Sequence, residues 1–493
     1  MRSMKKYCLG MALLSGSLLQ PGCELRKPLP RAHDARPPVE MVEVKPAQLA
    51  GPGKASPVTA LPLQDEREPN DDREHAQQLT GNTGIRGSAA APTTAASGKG
   101  GDDFYAFTAP AASVGGPSQP QLLQLELTSG PGVDLSLELQ DATGKRLALV
   151  DERGAGEGER LPNFAVAAGQ SLYFRVRGTL KGAVADQAAA AYQLSLVAQP
   201  APPDSEAEPN DTVAQASPLP GGSVSGALSF RKDEDVYVLS LPEALSRQPQ
   251  PAMGASRVGL RAAAILRVEL RTPGVTPALR ILLQPGDPTV AENPTAAPAP
   301  PASPTQVLDV VATKGTQELR LRNVALPAGT ALAYLVIRGQ SFPRPAGEAR
   351  YSLRVFVESE LEDAEAEPND DCAHPMLVTL ANTSGNRADG DLAGFLWPGD
   401  VDCFRLHSAA GGEHRWQVKL ALPGGDCQAT LETVRSIPAA AKTTPTTPTT
   451  PGQLDVRSHE DLVFRVFSRE RRTCFEAPYR LTMEQESLGS GAP

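Results

Sequence analysis

Most of the chain alternates apolar and polar residues with a period of two. Such alternation predicts short strands that turn one face toward a core and the other toward solvent. Gly and Pro separate the runs, and no convincing amphipathic helix interrupts them. The clearest runs are Val133, Leu135, Leu137 and Leu139, then Leu279, Ile281 and Leu283, then Trp416, Val418, Leu420 and Leu422. The pattern predicts an all-β protein built from β-sandwiches.

An acidic motif, E-x-E-P-N-D, occurs three times and divides the chain. It begins at Glu66, Glu206 and Glu365, and each copy is followed by an acidic cluster that runs into an apolar strand. The segment that follows each motif ends in a strand with the pattern Y-x-L. Recurrence at this scale predicts tandem modules. The predicted sandwich domains are repeat one at 64–199, repeat two at 204–359 and repeat three at 363–487.

Two insertions distinguish the later repeats. Residues 284–309 of repeat two are rich in Pro and Ala, and residues 438–452 of repeat three are rich in Thr and Pro. Both follow an equivalent mid-domain strand, so we expect long loops at one end of each sandwich. The Thr/Pro tract is either a solvated loop or a glycosylation site.

The N-terminus has the pattern of an export signal. A basic start precedes the apolar run Cys8–Leu19, which is too short to span a bilayer. The next residues, ending in Gly22-Cys23, resemble a bacterial lipoprotein cleavage site. We therefore expect a signal peptide at 1–22 and a lipidated Cys23; the alternative is an ordinary secretory signal that leaves Cys23 as a free thiol. Residues 23–63, rich in Pro and Ala, are expected to form a disordered tether.

Charge and composition narrow the function. The formal net charge is −10, and aromatic residues make up only 4% of the chain. An acidic chain lacks the basic surface that nucleic acid binding requires, whereas it suits divalent cations. With so few aromatic residues, the cores are expected to consist largely of Leu, Val and Ala.

The order of these motifs resembles a known module. The E-x-E-P-N-D start, the D-x-D-x-[FY] strand and the final Y-x-L strand resemble the bacterial pre-peptidase C-terminal (PPC) domain, a relative of the clostridial collagen-binding domains. The resemblance covers nearly all of the chain after the tether. It implies three jelly-roll-like β-sandwiches that usually accompany secreted proteases. No catalytic domain accompanies them here, so it also implies a binding or folding role.

The resemblance further implies Ca²⁺ sites. In the collagen-binding relatives the acidic start and the later aspartates bind Ca²⁺, and carboxylate and amide oxygens are the ligands this ion prefers. Repeat one has Gly101 where a ligand is expected, so its site should be weaker or absent. The alternative is that Asn and Asp only shape a turn. The candidate ligands are Glu206, Glu208, Asn210, Asp211, Asp233 and Asp235 in repeat two, and Glu365, Glu367, Asn369, Asp370, Asp400 and Asp402 in repeat three.

Four cysteines lie in repeat three, namely Cys372, Cys403, Cys427 and Cys474. In an exported domain they predict two disulfides, with three possible connectivities. We favour Cys372–Cys403 and Cys427–Cys474, because the first pair joins the domain entry to its acidic strand. A zinc site is the alternative, although no C-x-x-C spacing supports it.

No catalytic motif emerges from the sequence. There is no H-E-x-x-H, G-x-S-x-G or phosphate-binding loop, and the histidines are scattered. Four of the 6 histidines fall in repeat three, which leaves a metal or catalytic cluster open there. The favoured function is a non-catalytic lipoprotein of the bacterial cell envelope, in the outer membrane, that binds a protein, peptide or polysaccharide. The alternative is an accessory or degenerate subunit of a secreted peptidase or hydrolase system.

Overall fold

The computed structural model describes sixteen stretches of the chain. They are residues 61–89, 101–111, 121–131, 133–180, 191–201, 205–229, 233–242, 264–286, 303–340, 349–358, 364–384, 387–407, 413–424, 427–434, 452–468 and 477–488. The predicted signal peptide, Cys23 and the tether up to residue 60 lie outside them. Within them no helix is long and apolar enough to cross a membrane.

The described residues form 28 strands and only two short 3₁₀ turns, Val213–Gln215 and Pro220–Gly222. The prediction of an all-β fold is therefore confirmed. Strand burial alternates as the sequence pattern requires: in the strand Val133–Asp141, each alternate residue from Val133 to Leu139 is buried. The sheets separate into three pairs, one pair for each repeat.

Repeat one contains ten strands. They are β1 (Leu63–Asp65), β2 (Gln77–Leu79), β3 (Thr83–Ser88), β4 (Asp102–Thr108), β5 (Gln121–Ser129), β6 (Val133–Asp141), β7 (Arg146–Val150), β8 (Glu159–Val166), β9 (Ser171–Leu180) and β10 (Ala191–Pro200). One sheet has the order β1-β3-β10-β5-β8 and the other β2-β4-β9-β6-β7. Their inner faces share one core, in which Phe107, Phe164 and Phe174 are buried.

Repeat two contains nine strands. They are β11 (Ser217–Pro218), β12 (Ser223–Leu228), β13 (Glu234–Ser240), β14 (Ala264–Arg271), β15 (Thr276–Pro285), β16 (Thr305–Val311), β17 (Glu318–Leu326), β18 (Thr330–Gln340) and β19 (Ala349–Glu358). The sheets have the orders β11-β13-β18-β15-β16 and β12-β19-β14-β17. The predicted loop 284–309 is shorter than expected at both ends, because β15 extends to Pro285 and β16 pairs with it from Thr305.

Repeat three also contains nine strands. They are β20 (Met376–Val378), β21 (Ala381–Ser384), β22 (Arg387–Gly394), β23 (Val401–Leu406), β24 (Glu413–Ala421), β25 (Thr430–Thr433), β26 (Gln453–Ser458), β27 (Leu462–Phe467) and β28 (Tyr479–Leu488). The sheets have the orders β20-β23-β27-β25 and β21-β22-β28-β24-β26. The expectation that Leu422 faces this core is wrong: β24 ends at Ala421, and Leu422 is 40% exposed. Residues 438–451 of the Thr/Pro insertion lie outside the described stretches.

The acidic entry of each repeat runs beside β3, β12 or β22 of its own sandwich. β1 pairs with β3 in parallel, and single parallel bridges join Ser205 to Ser225 and Ala364 to Ala393. The described sandwich of repeat one thus includes Leu63, the last residue assigned to the tether. The Glu-Pro peptide bond that follows is cis in all three repeats.

Candidate metal centres

Each E-x-E-P-N-D segment folds back against the acidic strand of its own repeat. Its Asn carbonyl accepts a hydrogen bond from the backbone N–H that follows the strand's buried aspartate. The three bonds are Phe104 to Asn70 at 2.8 Å, Val236 to Asn210 at 3.0 Å and Cys403 to Asn369 at 3.1 Å. All the predicted ligands of a repeat are thereby brought to one end of its sandwich.

The two glutamates of each motif are fixed by backbone donors. The first accepts a hydrogen bond from an N–H near the C-terminal end of β3, β12 or β22: Ser88 donates to Glu66, Ala227 to Glu206 and Phe395 to Glu365. The second glutamate accepts from the N–H of the motif's own Asn, at 2.7 to 3.0 Å. In Glu208 and Glu367 this bond holds Oε2, and Oε1 is buried without a hydrogen-bond partner, so it can be directed at a ligand.

A tyrosine from the last strand reaches the same group of acids. In repeat three the Tyr479 hydroxyl lies 2.8 Å from Glu365 and 2.5 Å from Asp402. In repeat one the Tyr192 hydroxyl donates to Asp103 at 2.6 Å. These are the tyrosines of the Y-x-L pattern, whose role in the site was not predicted.

A glycine opposite each tyrosine makes this approach possible. A Cβ on Gly87, Gly226 or Gly394 would overlap the ring or hydroxyl of Tyr192, Tyr351 or Tyr479. Each of these glycines comes directly before the N–H that holds the first glutamate of its repeat. Glycine is therefore required by the close approach of an aromatic ring at this point of β3, β12 and β22.

Repeats two and three each contain two adjacent carboxylate triads that share the second glutamate. Within a triad, the chosen oxygens all lie within 4.8 Å of one another. The inner triads are Glu206, Glu208 and Asp235, and Glu365, Glu367 and Asp402; the outer triads are Glu208, Asp211 and Asp233, and Glu367, Asp370 and Asp400. This spacing allows one cation per triad, with Glu208 or Glu367 bridging the two.

Among its described residues, repeat one retains only the inner triad, formed by Glu66, Glu68 and Asp103. Gly101 stands where the outer triad needs an aspartate. Asp102 does not replace it, because its carboxylate accepts a 2.7 Å hydrogen bond from Arg177 instead. Glu68 is also exposed, whereas its counterparts Glu208 and Glu367 are buried.

Burial and mutual repulsion raise the pKa values of these acids. Burial, reinforced by the charge of neighbouring acids, raises the pKa of Asp402 and Asp235 well above the usual range for aspartate. Burial is also the main cause that raises the pKa of Glu208 and of Glu365 to about 7. Since several buried carboxylates repel one another here, a cation would remove a large electrostatic cost.

Buried oxygens with no hydrogen-bond partner show that the residues fit a cation. Buried polar atoms are almost always paired, so a group of unpaired ones indicates a ligand. In repeat three these atoms are Oε1 of Glu367, Oδ1 of Asn369 and Oδ1 of Asp402, in side chains at most 3% exposed. In repeat two, Oε1 of Glu208 and Oδ1 of Asn210 are likewise buried without a hydrogen-bond partner. All are oxygens, the donor type that Ca²⁺ prefers.

Two asparagines that sequence reasoning missed belong to these centres, and each comes from the preceding repeat. Asn163 of β8 donates its side-chain N–H to Glu206, and Asn323 of β17 donates to Glu365 at 3.0 Å. The two residues follow a leucine in the same way, in Leu161-Pro-Asn and Leu321-Arg-Asn. That shared pattern between repeats was the signal available in the sequence.

A cavity of about 260 Å³ lies beside the outer triad of repeat two. Leu149 and Phe164 of repeat one form part of its wall, and Glu208 and Asp211 of repeat two form another part. Leu149 is 41% exposed. The cavity thus combines an apolar wall with carboxylates of a candidate metal centre.

The described cysteines and histidines of repeat three supply no member of a triad, although Cys403 directly follows Asp402. The structure contains the predicted Cys372–Cys403 disulfide. Cys427 is disulfide-bonded as well, and Cys474, its predicted partner, lies outside the described residues. Among the described residues no triad includes a histidine or a cysteine. His374 instead contacts Asp371 at 2.7 Å, and His407 contacts Asp461 at 3.0 Å.

The chain resembles known proteins only weakly. No family model matches the chain, and no curated protein matches it. A structure of a protein from Eubacterium rectale described as secreted has a TM-score of 0.16 and 10% identity, over 60% of this chain and 85% of that one. The N-terminal tandem of two CBM22 domains from Paenibacillus barcinonensis Xyn10C has a TM-score of 0.13 and 10% identity, over 57% of this chain and 88% of that one. A fucolectin from striped bass (Morone saxatilis) serum has a TM-score of 0.13 and 10% identity, over 57% of this chain and 87% of that one. TM-scores this low carry no argument about function.

Proposed function

We propose that this chain is a non-catalytic lipoprotein of the bacterial cell envelope. Its three PPC-like sandwiches carry Ca²⁺ centres and together bind a protein, peptide or polysaccharide. A lipid on Cys23 anchors the chain in the outer membrane, and the tether 23–63 holds the sandwiches away from the membrane surface. A triacylated cysteine supplies enough buried methylenes for stable anchoring.

The recurrence of the carboxylate centre at the entry of every repeat carries this proposal. A catalytic pair of carboxylates is needed once, whereas these acids recur with the module and lie where one module begins. Such a placement suits a cation that stabilises the architecture. Ca²⁺ is the preferred ion because every candidate ligand atom is an oxygen, while zinc sites in proteins usually contain Cys or His.

Export is supported by two independent features. The first 22 residues have the basic and apolar segments of a signal peptide. The Cys372–Cys403 disulfide also suits an oxidising compartment, since disulfides are rare in the cytosol. Together they favour a location in the cell envelope.

Affinity capture from envelope extracts tests the binding role. Purified chain serves as bait in the presence of Ca²⁺, and Leu149→Arg fills the cavity beside the outer triad with a charge. Val357→Arg is the matched control, because Val357 is similarly exposed at 36% but does not line the cavity. We expect one partner that is retained by wild type and Val357→Arg and lost with Leu149→Arg.

Two results would overturn this function. Capture of a stoichiometric secreted peptidase would favour the accessory-subunit alternative. Retention of no partner by wild type would contradict the binding role. A partner retained equally by wild type and Leu149→Arg would bind at a surface other than this cavity.

A further inference from the structure

The buried state of the metal centres depends on the neighbouring repeat. Glu206, Glu208, Glu365 and Glu367 are at most 3% exposed, whereas Glu68 in repeat one is exposed. Within the described chain, repeats two and three follow another sandwich and repeat one does not. The preceding sandwich therefore covers each buried centre.

A short β-bridge joins the motif of repeat two to repeat one, and a second bridge joins the motif of repeat three to repeat two. Glu208 and Asn163 are linked by a 3.0 Å backbone hydrogen bond, and Ala165 donates to the carbonyl of Glu208 at 2.7 Å. At the second junction Glu367 donates to Asn323 at 2.9 Å, and Ala325 donates to Glu367 at 2.7 Å. The backbone of Glu208 or Glu367 therefore pairs with a strand of the preceding repeat, while its side chain belongs to the metal centre of its own repeat.

The side chains of Asn163 and Asn323 extend this bridge into the centres. Each donates to the first glutamate of the next repeat, and Oδ1 of Asn323 is buried without a partner. In repeat three, β26 occupies the position that β8 and β17 have in their sheets, and it contains no asparagine. The asparagine is therefore present in the two repeats that another repeat follows.

Apolar contacts accompany the second junction. Trp397, in the segment between β22 and β23 of repeat three, is 5% exposed and packs in the hydrophobic cluster of repeat two. Ala366, between the two glutamates of the motif, packs against Ile265 and Ala325 of repeat two. Trp397 and Asp400 are also connected, because the N–H of Trp397 donates to Asp400 at 3.1 Å. The outer triad and the interdomain contact therefore share a loop.

We propose that the cation centres of repeats two and three are joints, which the preceding repeat closes through Asn163 and Asn323. Cation binding then fixes one sandwich on the next and holds the array in one geometry. This inference rests on the proposed Ca²⁺ centres. Asn163 and Asn323 are positioning residues, because they act through Glu206 and Glu365. Docking of the sandwiches and cation binding must strengthen each other by the same factor.

Trp397 provides a reporter that needs no label. The chain contains only 2 tryptophans. Trp397 is buried between repeats, and Trp416 is buried inside repeat three. Trp416→Phe leaves a reporter of the joint, and Trp397→Phe leaves a control within one domain. If Trp416→Phe does not fold, the fluorescence of Trp397 is obtained by subtracting the fluorescence of Trp397→Phe from that of wild type.

The experiment measures acrylamide quenching of each reporter in full chain during a Ca²⁺ titration from chelator. We expect Ca²⁺ to protect Trp397 and to leave the quenching of Trp416 unchanged. Asn323→Ala should shift the Ca²⁺ midpoint for Trp397 upward by about 10–100-fold, as for other residues that orient metal ligands. Asn82→Gly is the control: Asn82 contacts Ala198 within repeat one, and its φ of 57° suits glycine.

The outcomes separate this inference from the proposed function. Equal Ca²⁺ midpoints in the parent and Asn323→Ala would overturn the joint, as would Ca²⁺ binding by calorimetry without protection of Trp397. Absence of Ca²⁺ binding by calorimetry would overturn the Ca²⁺ centres themselves. A purely structural lesion in Asn323→Ala would lower protection at saturating Ca²⁺, whereas we expect full protection there.

Discussion

Asn323 and Glu365 belong to different sandwiches, yet a 3.0 Å hydrogen bond joins their side chains. Glu365 is only 2% exposed and lies in the same triad as Glu367 and Asp402. The candidate metal centre of repeat three is therefore assembled from two repeats. The Asn163–Glu206 contact has the same arrangement at the first junction.

Replacing Asp402 with Asn should have opposite effects with and without Ca²⁺. Without the cation, burial and the neighbouring Glu365, Asp400 and Glu367 oppose ionisation of Asp402 and raise its pKa. Asp402→Asn removes the cost of placing this carboxyl group there, so repeat three should melt at a higher temperature in chelator. With Ca²⁺, affinity should fall by at least about 100-fold, since even partners that only orient ligands contribute 10–100-fold. Differential scanning calorimetry in both conditions measures the two effects.

Asp102→Asn is the matched control for this change. Asp102 precedes a triad aspartate but pairs with Arg175 and Arg177, so the exchange should leave Ca²⁺ binding unchanged. If Asp402→Asn destabilises repeat three in chelator and Ca²⁺ stabilises it as in wild type, Asp402 has a structural role only.

Adding a methyl group to Gly226 should damage the centre of repeat two. The new Cβ would overlap the Tyr351 hydroxyl, and relieving it should cost about 1–3 kcal/mol. Ca²⁺ affinity should fall as well, because Tyr351 and Glu206 must move apart. Gly154→Ala is the control, since nothing lies within 4 Å of its new methyl group. Equal unfolding free energies for both variants, measured in urea, would contradict the packing described.

Removing the Cys372–Cys403 disulfide should destabilise repeat three alone. The bond closes a loop with a sequence separation of 31, for which the chain-entropy model gives about 3–4 kcal/mol. The double variant Cys372→Ser with Cys403→Ser should therefore lower only the melting transition of repeat three. A loss shared by all three repeats would show that they unfold as one unit.

Replacing Cys23 with Ser should release the chain from the membrane. If Cys23 carries the lipid, a fatty-acid probe should label wild type and not Cys23→Ser. Cys8→Ser serves as the control, because Cys8 lies within the predicted signal peptide and should not affect labelling. Label and membrane retention in Cys23→Ser would place the anchor elsewhere.

The strands and the acids of the centres could be predicted from the sequence because both depend on patterns within a single repeat. Alternation places Leu135 and Leu137 on one face of a strand. The E-x-E-P-N-D motif lies in the same repeat as the aspartate that it contacts, Asp235 or Asp402. The exposed Leu422 shows the limit of this reasoning, because period-two alternation does not mark the residue at which a strand ends. The division of each repeat's acids into two triads was not predicted, because it depends on distances between loops.

Asn163 and Asn323 could not be assigned from local pattern. Each is one buried asparagine at a β-bulge, next to a position where the register with β5 or β14 shifts. Their partners, Glu206 and Glu365, lie 43 and 42 residues further along the chain and in another domain. Only a comparison of the repeats with one another separates them from ordinary turn residues.

Calorimetric titration of chelator-treated chain with Ca²⁺ tests the central claim most directly. The four triads of repeats two and three predict four strong sites, with a weaker site at the exposed triad of repeat one. Asp235→Asn and Asp402→Asn should each remove the strong site of the inner triad in one repeat and leave the other repeat unchanged. A chain that shows no saturable Ca²⁺ binding, or that keeps all strong sites in both variants, would contradict the account.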